Sequence, residues 1–335
     1  MELPIRYTTE TVSNSGLAAL SVSPRMYRNY KDRVETATAS YFNLGSATHC
    51  MVLEKDEFDD RYMVSTAIAP TGYMAAYIDS LFRNRCRDGE YEGLQKSNWI
   101  INAHADSGYK WSSDKVWENF NNDPNLIGYY ETLLATKDKI VLSTKDKVAI
   151  DACVDGIQTH ERAAELLYGY ILSDVYNELN IVWKHPKFPK FKMRSIFDRV
   201  IIDTATKTAI LVDLKTTSKS VNSFKYSYRK YNYHRQMALY RLALKWYLED
   251  LGHDSTDWTF EIYIVATQTN GYGDTAVYAP SEADLIRGEA ESDKLLERMS
   301  WHFDNDKWDQ PMEYYLNNGV IILNLDDEQG SQFDD

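Results

Sequence analysis

Three β-type segments lie close together in the middle of the chain and limit the folds that it can adopt. Residues 180–183, 191–202 and 208–214 show strand-like patterns of apolar residues, and turn residues over 203–207 separate the last two. Helical patterns lie on both sides of this block, and the clearest of them covers residues 233–250. These segments predict an α/β fold in which the second and third strands form an antiparallel hairpin.

The rest of the chain has mostly helical periodicity. The stretch 73–134 is rich in aromatic residues and is interrupted by Gly89, Gly93, Gly108 and an Asp123-Pro124 turn. The further predicted elements are helices over 15–30 (broken at Ser23-Pro24), 44–54, 143–170 (as one helix or two) and 284–301, a less regular continuation over 56–64, and a strand over 260–267.

These patterns predict four parts of the chain. Residues 1–70 form an N-terminal helical part, and residues 71–140 form a helical insert of unknown role. The core covers residues 141–322. Residues 323–335 are acidic and are predicted to form a flexible tail, which is either merely solvated or a contact for a partner protein or for the basic region described below.

Composition excludes several classes of protein and site. No apolar run in the 335 residues approaches the roughly 18 needed to cross a bilayer, and the N-terminus has neither the basic start nor the apolar stretch of a signal peptide. Cys50, Cys86 and Cys153 lack the spacing of a zinc ribbon, a four-cysteine iron–sulfur site or a disulfide framework. We therefore expect a soluble protein of a reducing cytoplasm, with no membrane partner.

Charge is distributed very unevenly along the chain. The formal net charge is −13, yet residues 184–235 carry 13 Lys or Arg against three Asp, which leaves 24 basic and 47 acidic residues elsewhere. A net negative charge disfavours binding to nucleic acid, but a basic region within an acidic protein can still attract phosphates. Because runs of charge are commonly only solvated surface, this region gains meaning only if candidate chemistry lies within it.

The third β-type segment ends in two charges, Asp213 and Lys215, at a point where the chain should be entering a core. Side chains alternate along a strand, so these two share one face and their apolar neighbours share the other. The hairpin would also bring Asp198 close to Asp213. Two carboxylates and the backbone carbonyl of Leu214 suit Mg²⁺, and the lysine would orient water or stabilise developing charge. This set suits phosphodiester hydrolysis, and the alternative is an ordinary surface ion pair.

The same residues carry a family resemblance. Asp198 followed by Asp213-Leu214-Lys215 resembles the signature of the PD-(D/E)xK nucleases, and Gln236-Met237-Ala238-Leu239-Tyr240 resembles the Q-x-x-x-Y motif of their RecB-type branch. SNSGLAALSVSPRMY and LGSATHCMVLEKDEFDDRY near the N-terminus, and VLSTKDKVAIDACVDGIQTHERAAELL and NELNIVWKHP further on, resemble RecE-like (exonuclease VIII) proteins. In that family a G-x-A-x-H helix supplies a histidine to the metal site, and here the histidine is His49.

The resemblance implies a restriction-endonuclease-like core, with a central mixed β-sheet flanked by helices, and a site for Mg²⁺, with Mn²⁺ as a substitute. The implied catalytic residues are Asp198, Asp213, Lys215, Glu178 and Gln236, and the implied metal ligands are His49, Asp198, Asp213 and the carbonyl of Leu214. From the residues alone, His49 would be a core histidine and Gln236 a buried amide bonded to backbone. Glu178 is either a second metal ligand or a charge that holds Lys215.

Basic and aromatic residues follow the third strand directly, which suits contact with DNA because cations meet phosphates and rings stack on bases. The alternative is a set of surface residues without a ligand. The predicted DNA-binding residues are Lys219, Lys225, Arg229, Lys230, Tyr233, Arg235 and Tyr240.

The resulting hypothesis is a Mg²⁺-dependent exonuclease that degrades duplex DNA ends for recombination in a bacterial or phage-infected cell. The resemblance implies 5′ to 3′ polarity, a ring-shaped homo-oligomer and a partner such as a single-strand annealing or single-strand-binding protein. Two alternatives stay open. One is a Cas4-like or AddB-like nuclease, which the lack of a cysteine quartet disfavours, and the other is a non-catalytic DNA-end-binding protein.

Overall fold

The computed structural model describes residues 11–32, 40–88, 94–136, 139–170 and 173–322, so the predicted acidic tail lies outside the described residues. The chain groups into two compact units. One, the sheet unit, comprises Met1–Thr38 and Asp155–Asp335, and the other, the helical unit, comprises Ala39–Val154. The predicted boundaries at residues 70 and 140 do not coincide with those of the two units.

The helices and strands of the described residues occur in a fixed order along the chain. They are β1 (Thr11–Val12), α1 (Asn14–Val22), α2 (Pro24–Lys31), α3 (Ser40–Leu53), α4 (Phe58–Arg61), β2 (Tyr62–Ser65), α5 (Gly72–Asp88), α6 (Leu94–Ser107), α7 (Ser113–Asn122), α8 (Pro124–Thr136), β3 (Ile140–Ser143), α9 (Thr144–Thr159), α10 (Glu161–Tyr168), β4 (Asp174–Lys184), β5 (Lys192–Asp203), β6 (Thr208–Thr217), α11 (Phe224–Lys230), α12 (Tyr233–Asp250), β7 (Thr259–Gln268), β8 (Thr275–Tyr278), α13 (Glu282–Asn305) and α14 (Met312–Leu316).

A mixed sheet, six-stranded in the described residues, organises the sheet unit. Strand β5 pairs antiparallel with β4 and β6, and it also pairs over two residues with β1 in the parallel sense. Strand β7 runs parallel to β6, and β8 returns antiparallel to β7. The predicted hairpin is confirmed, because Asp203 pairs with Thr208 and Arg199 with Val212.

The main hydrophobic core of the sheet unit lies between the sheet and helices α12 and α13. Phe197 of β5, Leu211 of β6, Leu244 of α12 and Leu296 of α13 are all fully buried in it. Burying a side chain of this size contributes about 1.5–3 kcal/mol, so these contacts fix where α12 lies on the sheet. The helix has the predicted bounds, and Gly252 with φ +86° follows its end.

The helical unit contains α5 to α8 around an aromatic-rich core and a parallel pair of strands, β2 and β3. The breaks between these helices fall where glycines and the Asp123-Pro124 turn predicted them. The predicted helical continuation over residues 56–64 is confirmed as far as Arg61, through a short 3₁₀ turn and α4, and is wrong beyond it, because strand β2 follows immediately. Residues 143–170 form two helices, α9 and α10.

One glycine in α13 marks the closest approach between helices α12 and α13. A Cβ added at Gly288 would lie 2.6 Å from the backbone oxygen of His234 and 2.9 Å from the Cβ of Ala238. We expect Gly288→Ala to destabilise the protein by about 1–3 kcal/mol, since overpacking outweighs the better helix propensity of alanine. Gly128→Ala in α8 is the matched control, because its added Cβ would meet no atom within 4 Å in the described residues apart from its own helical turn. Thermal unfolding should show the control equal to or more stable than wild type, and a stabilised Gly288→Ala would contradict the packing.

Two buried histidines should make the free energy of unfolding depend on pH. His185 and His302 are each 1% exposed. Burial lowers the pKa of both imidazoles, and it outweighs the opposing effects of Asp293 near His185 and of the Lys307 carbonyl beside His302. The folded state therefore binds fewer protons than the unfolded chain below the ordinary histidine pKa of about 6.5.

We expect the free energy of unfolding to fall as the pH drops through about 6.5, by up to about 1.4 kcal/mol per pH unit for each of these histidines. The loss continues until the pH reaches the lower pKa values of the folded state. Urea unfolding at a series of pH values measures the slope, and His185→Gln should reduce it. A slope that His185→Gln leaves unchanged would contradict a role for this imidazole.

Candidate active site

Strand β6 carries Asp213 and Lys215 in the interior of the sheet. It pairs with β5 through Thr208 to Val212 and with β7 along its whole length. The side chain of Asp213 is only 1% exposed and that of Lys215 only 17%. Val212 and Leu214, on the other face of the strand, are fully buried as well. Both faces of β6 are therefore covered, so the two charges are not an ordinary surface ion pair.

Asp213 and Lys215 form a buried ion pair, with 2.6 Å between Lys215 Nζ and Asp213 Oδ2. The ammonium also lies over the ring of Tyr233, 5.2 Å from its centroid. Burial alone would lower the pKa of Lys215, but the carboxylates of Asp213 and Asp198 raise it above the ordinary value. These neighbours favour the ammonium form of Lys215, which can donate hydrogen bonds.

Asp198 lies opposite Asp213, because the neighbouring pair Arg199 and Val212 sets the register of β5 and β6. Its Oδ2 accepts a 2.7 Å hydrogen bond from the backbone N–H of Leu214. The register thus places Asp198 and Asp213 across from each other, as expected from the predicted hairpin. The amide of Leu214 orients Asp198, whereas its carbonyl as a metal ligand stays a prediction.

Glu178 of β4 is the cross-strand neighbour of Asp198 of β5. The residues before and after Glu178, which pair with Arg199 and Phe197, give this register. The backbone of Glu178 has φ +49°, in the left-handed region that residues with a Cβ rarely adopt. Carboxylate oxygens of Glu178 and Asp198 lie within 4.8 Å of each other. Because oxygen ligands lie about 2.0–2.6 Å from Mg²⁺ or Ca²⁺, these two carboxylates fit the coordination of one hard cation.

The strict alternation of strand side chains fails at this point of the sheet. Phe197 and Val200 of β5 both belong to the core beneath α12, although alternation would place them on opposite faces. The side-chain phase therefore shifts at Asp198, beside the left-handed residue Glu178 of β4. Sequence patterns alone therefore predict that these carboxylates lie on neighbouring strands, but not which way their side chains point.

Helix α12 contributes Gln236 and Tyr240 to the site. Gln236 Nε2 donates to the hydroxyl of Tyr240 at 3.0 Å and lies 3.5 Å from Asp213 Oδ1. Burial raises the pKa of Tyr240, and Asp213 raises it further, so its hydroxyl stays protonated. The ring of Tyr240 packs edge-on against Phe197. Gln236 and Tyr240, one helical turn apart, thus orient Asp213 from the helix side.

The histidine predicted as a metal ligand, His49, lies on α3 in the helical unit. Its neighbour Cys50 is buried in a small core with Phe58 and Leu142. The assignment of His49 as a ligand stays a prediction.

The predicted DNA-binding residues fall into three groups. Lys219, on the loop after β6, and Lys225, Arg229 and Lys230, on α11, are exposed. Tyr233 and Tyr240 are half-buried and belong to the site itself. Arg235 is a correction, because it is 2% exposed and its Nε donates to Asn14 Oδ1 of α1 at 3.2 Å. Since Arg235 is enclosed by packing between helices, it is not available for surface contact with a phosphate.

A family comparison can now be set beside this geometry. A model of the PD-(D/E)XK nuclease superfamily matches residues 126–310, more than half of the chain. The chain belongs to this superfamily. The match includes Glu178, Asp198, Asp213, Lys215 and Gln236, and the mixed sheet flanked by helices confirms the fold predicted for a PD-(D/E)XK nuclease.

Among solved structures, the chain is similar to the crystal structure of a candidate exonuclease from Eubacterium rectale. The two share 10% sequence identity, the TM-score is 0.45, and the match covers 97% of this chain and 96% of that one. No curated protein matches the chain in sequence. The helices in the described part of the chain are all too short or too polar to cross a membrane.

Proposed function

We propose that this PD-(D/E)XK protein is a metal-dependent deoxyribonuclease that degrades duplex DNA from its ends. The observation that carries the proposal is the buried Asp213–Lys215 pair on a central strand, with Asp198 directly opposite. A buried pair of this kind is weak support for a purely structural role, because apolar residues of similar volume stabilise a core equally well. Perturbed ionisable groups concentrated at one point of a nuclease fold instead favour a catalytic role.

Glu178, Asp198 and Asp213 would hold the divalent ion, which we propose to be Mg²⁺, with Mn²⁺ as a substitute. The resemblance to RecE-like proteins adds His49 and the carbonyl of Leu214 to this set. When bound, such an ion supplies positive charge that offsets the charge developing on the scissile phosphate.

The residues of the chain supply the remaining steps. Lys215 donates hydrogen bonds to a phosphate oxygen or to the attacking water, since its neighbours keep it protonated. Gln236 and Tyr240 hold Asp213 in orientation through the contacts described above. Lys219, Lys225, Arg229 and Lys230 bind the DNA backbone, because they are exposed on the segment that follows β6.

The finer features of the proposal come from the RecE-like resemblance. They are 5′ to 3′ polarity, a ring-shaped homo-oligomer, a role in recombination in the bacterial or phage-infected cytoplasm, and a single-strand annealing or single-strand-binding partner. A Cas4-like or AddB-like enzyme would differ in polarity, and a non-catalytic end-binding protein would bind DNA without cleaving it.

One digestion experiment separates these possibilities. Linear duplex labelled at the 5′ or the 3′ end is incubated with the protein in Mg²⁺, in Mn²⁺ and in excess chelator. We expect the 5′-labelled nucleotides to be released early. Their release should require the metal, and covalently closed circles should not be cleaved. Early release from the 3′ label would support the alternative nucleases. A gel shift without metal-dependent products would overturn the nuclease assignment.

A further inference from the structure

The connection between β7 and β8 lies at the end of the sheet where the chain leaves the active-site strand. Because β6 and β7 are parallel, with Asp213 opposite Ile264 and Thr217 opposite Gln268, their carboxyl ends lie at one edge of the sheet. Four residues of strand separate the level of Asp213 from that of Thr217, about 13 Å at about 3.3 Å per residue. Residues 269–274, which connect β7 to β8, therefore begin about 13 Å along the sheet from the level of Asp213.

This connection, the β7–β8 loop, is held firmly to the segment after β6. The N–H of Thr269 donates to the carbonyl of Thr217 at 2.8 Å, and Asn270 Nδ2 donates to the carbonyl of Ser218 at 2.8 Å. The loop closes on itself through the N–H of Gln268 and the carbonyl of Asp274, 2.9 Å apart. Its backbone is therefore fixed relative to strand β6.

Two glycines allow the tight path of the β7–β8 loop. Gly271 and Gly273 have φ +88° and +71°, values that favour glycine. Gly273 is also packed against α9, since a Cβ added at Gly156 would lie 1.8 Å from the Gly273 oxygen. The residue between the two glycines, Tyr272, is thus presented on a rigid support.

Tyr272 is 92% exposed, more than any other large hydrophobic side chain in the part of the chain that the structure describes. Because its ring is almost fully exposed to solvent, a ligand could gain free energy by packing against it. Lys219 is exposed on the segment to which the loop is bonded, which places a cation on the same support. Exposed rings and cations on one surface are the combination with which proteins bind unpaired nucleic-acid strands, through stacking on bases and contact with phosphates.

We propose that Tyr272 is a stacking site for an unpaired nucleobase at the DNA end. The inference rests on the proposed nuclease function. It adds that Tyr272 marks the position at which one DNA strand separates from its complement. The loop that carries Tyr272 begins about 13 Å along the sheet from the level of Asp213, so the ring would meet a base a few nucleotides from the scissile phosphate. The ring would hold a base out of the duplex at that position, so that the strand reaches the active site unpaired.

Fluorescence of 2-aminopurine tests the stacking directly. The base analogue is placed in turn at each of the first eight positions of a duplex end, and the DNA is bound to the Lys215→Met variant with metal present. We expect one position, a few nucleotides from the end, to be strongly quenched relative to its unpaired neighbours. The added change Tyr272→Ala should abolish that quenching, Tyr272→Phe should keep it, and Tyr168→Ala, which removes an exposed tyrosine elsewhere in the sheet unit, should have no effect.

The affinity for duplex ends gives a second readout, measured on Tyr272 variants that keep Lys215. Since stacking of one base on an aromatic ring is worth a factor of about 5 to 150 in affinity, Tyr272→Ala should weaken binding of duplex ends by that factor, and Tyr272→Phe by about twofold or less. If the wild type cleaves DNA and Tyr272→Ala shows the same quenching and affinity, the stacking proposal is wrong while the nuclease assignment stands. If the wild type neither binds nor cleaves DNA, both fail.

Discussion

Replacement of Lys215 by methionine is expected to reduce DNA cleavage by about 10²- to 10³-fold, the usual loss when one positioned donor to a developing anion is removed. Methionine keeps most of the volume of lysine but has no ammonium. Binding of duplex DNA should change by less than about threefold, because the exposed cations on α11 and after β6 supply most of the backbone contacts. Initial rates on end-labelled duplex and fluorescence anisotropy measure the two quantities separately.

Lys207→Met is the matched control for this substitution. Lys207 lies in the turn before β6, is exposed, and forms an ion pair with the exposed carboxylate of Asp257 at 3.1 Å. Its replacement should leave the cleavage rate unchanged. Equal rates for wild type and Lys215→Met would remove Lys215 from the mechanism, and equal losses in both variants would indicate a general effect of charge.

The second large effect is expected in stability. Asp213→Asn and Lys215→Met each leave one buried charge without its partner, which costs about 3–5 kcal/mol for a buried pair. Asp213→Asn should lie at the lower end of that range, because Asp198 remains near the ammonium. The double variant removes both charges and should recover at least about 2 kcal/mol relative to the sum of the single changes. Urea unfolding in excess chelator measures all four proteins of the cycle without interference from bound metal.

An exposed pair provides the control cycle. Lys207 and Asp257 form an ion pair with side chains that are 55% and 60% exposed, so Lys207→Met with Asp257→Asn should give a coupling below about 1 kcal/mol. Additive effects at Asp213 and Lys215 would mean that their 2.6 Å contact does not persist in solution. The buried position of β6 would then explain the low exposure of both side chains without any coupling between them.

The sequence was sufficient to predict the hairpin that builds the site. Alternation over residues 208–214 and the turn before it placed Asp198 across from Asp213, and these are local features that a single chain displays. Helix α12 also follows from its periodicity and its terminal glycine, and Gln236 could be expected to be a buried amide.

Other features depend on contacts that periodicity does not encode. Arg235 appears in a run of basic residues, yet helix α1, more than 200 residues earlier in the chain, encloses it. Tyr272 gave no helical or strand periodicity, and only the parallel pairing of β6 with β7 shows that its loop lies at the end of the active-site strand. Glu178 reads as an ordinary strand residue, because no local pattern signals its left-handed backbone.

The conformation of Glu178 has a consequence for the evolution and engineering of this fold. Glycine at this position would adopt φ +49° without the steric conflict of a Cβ, at a gain of about 1 kcal/mol, but it would remove a carboxylate next to Asp198. On the proposed role of Glu178 in holding the metal ion, selection for thermal stability alone and selection for DNA cleavage would therefore favour different residues at position 178. Libraries screened only for thermal stability are then expected to accumulate Glu178→Gly variants that no longer cleave DNA.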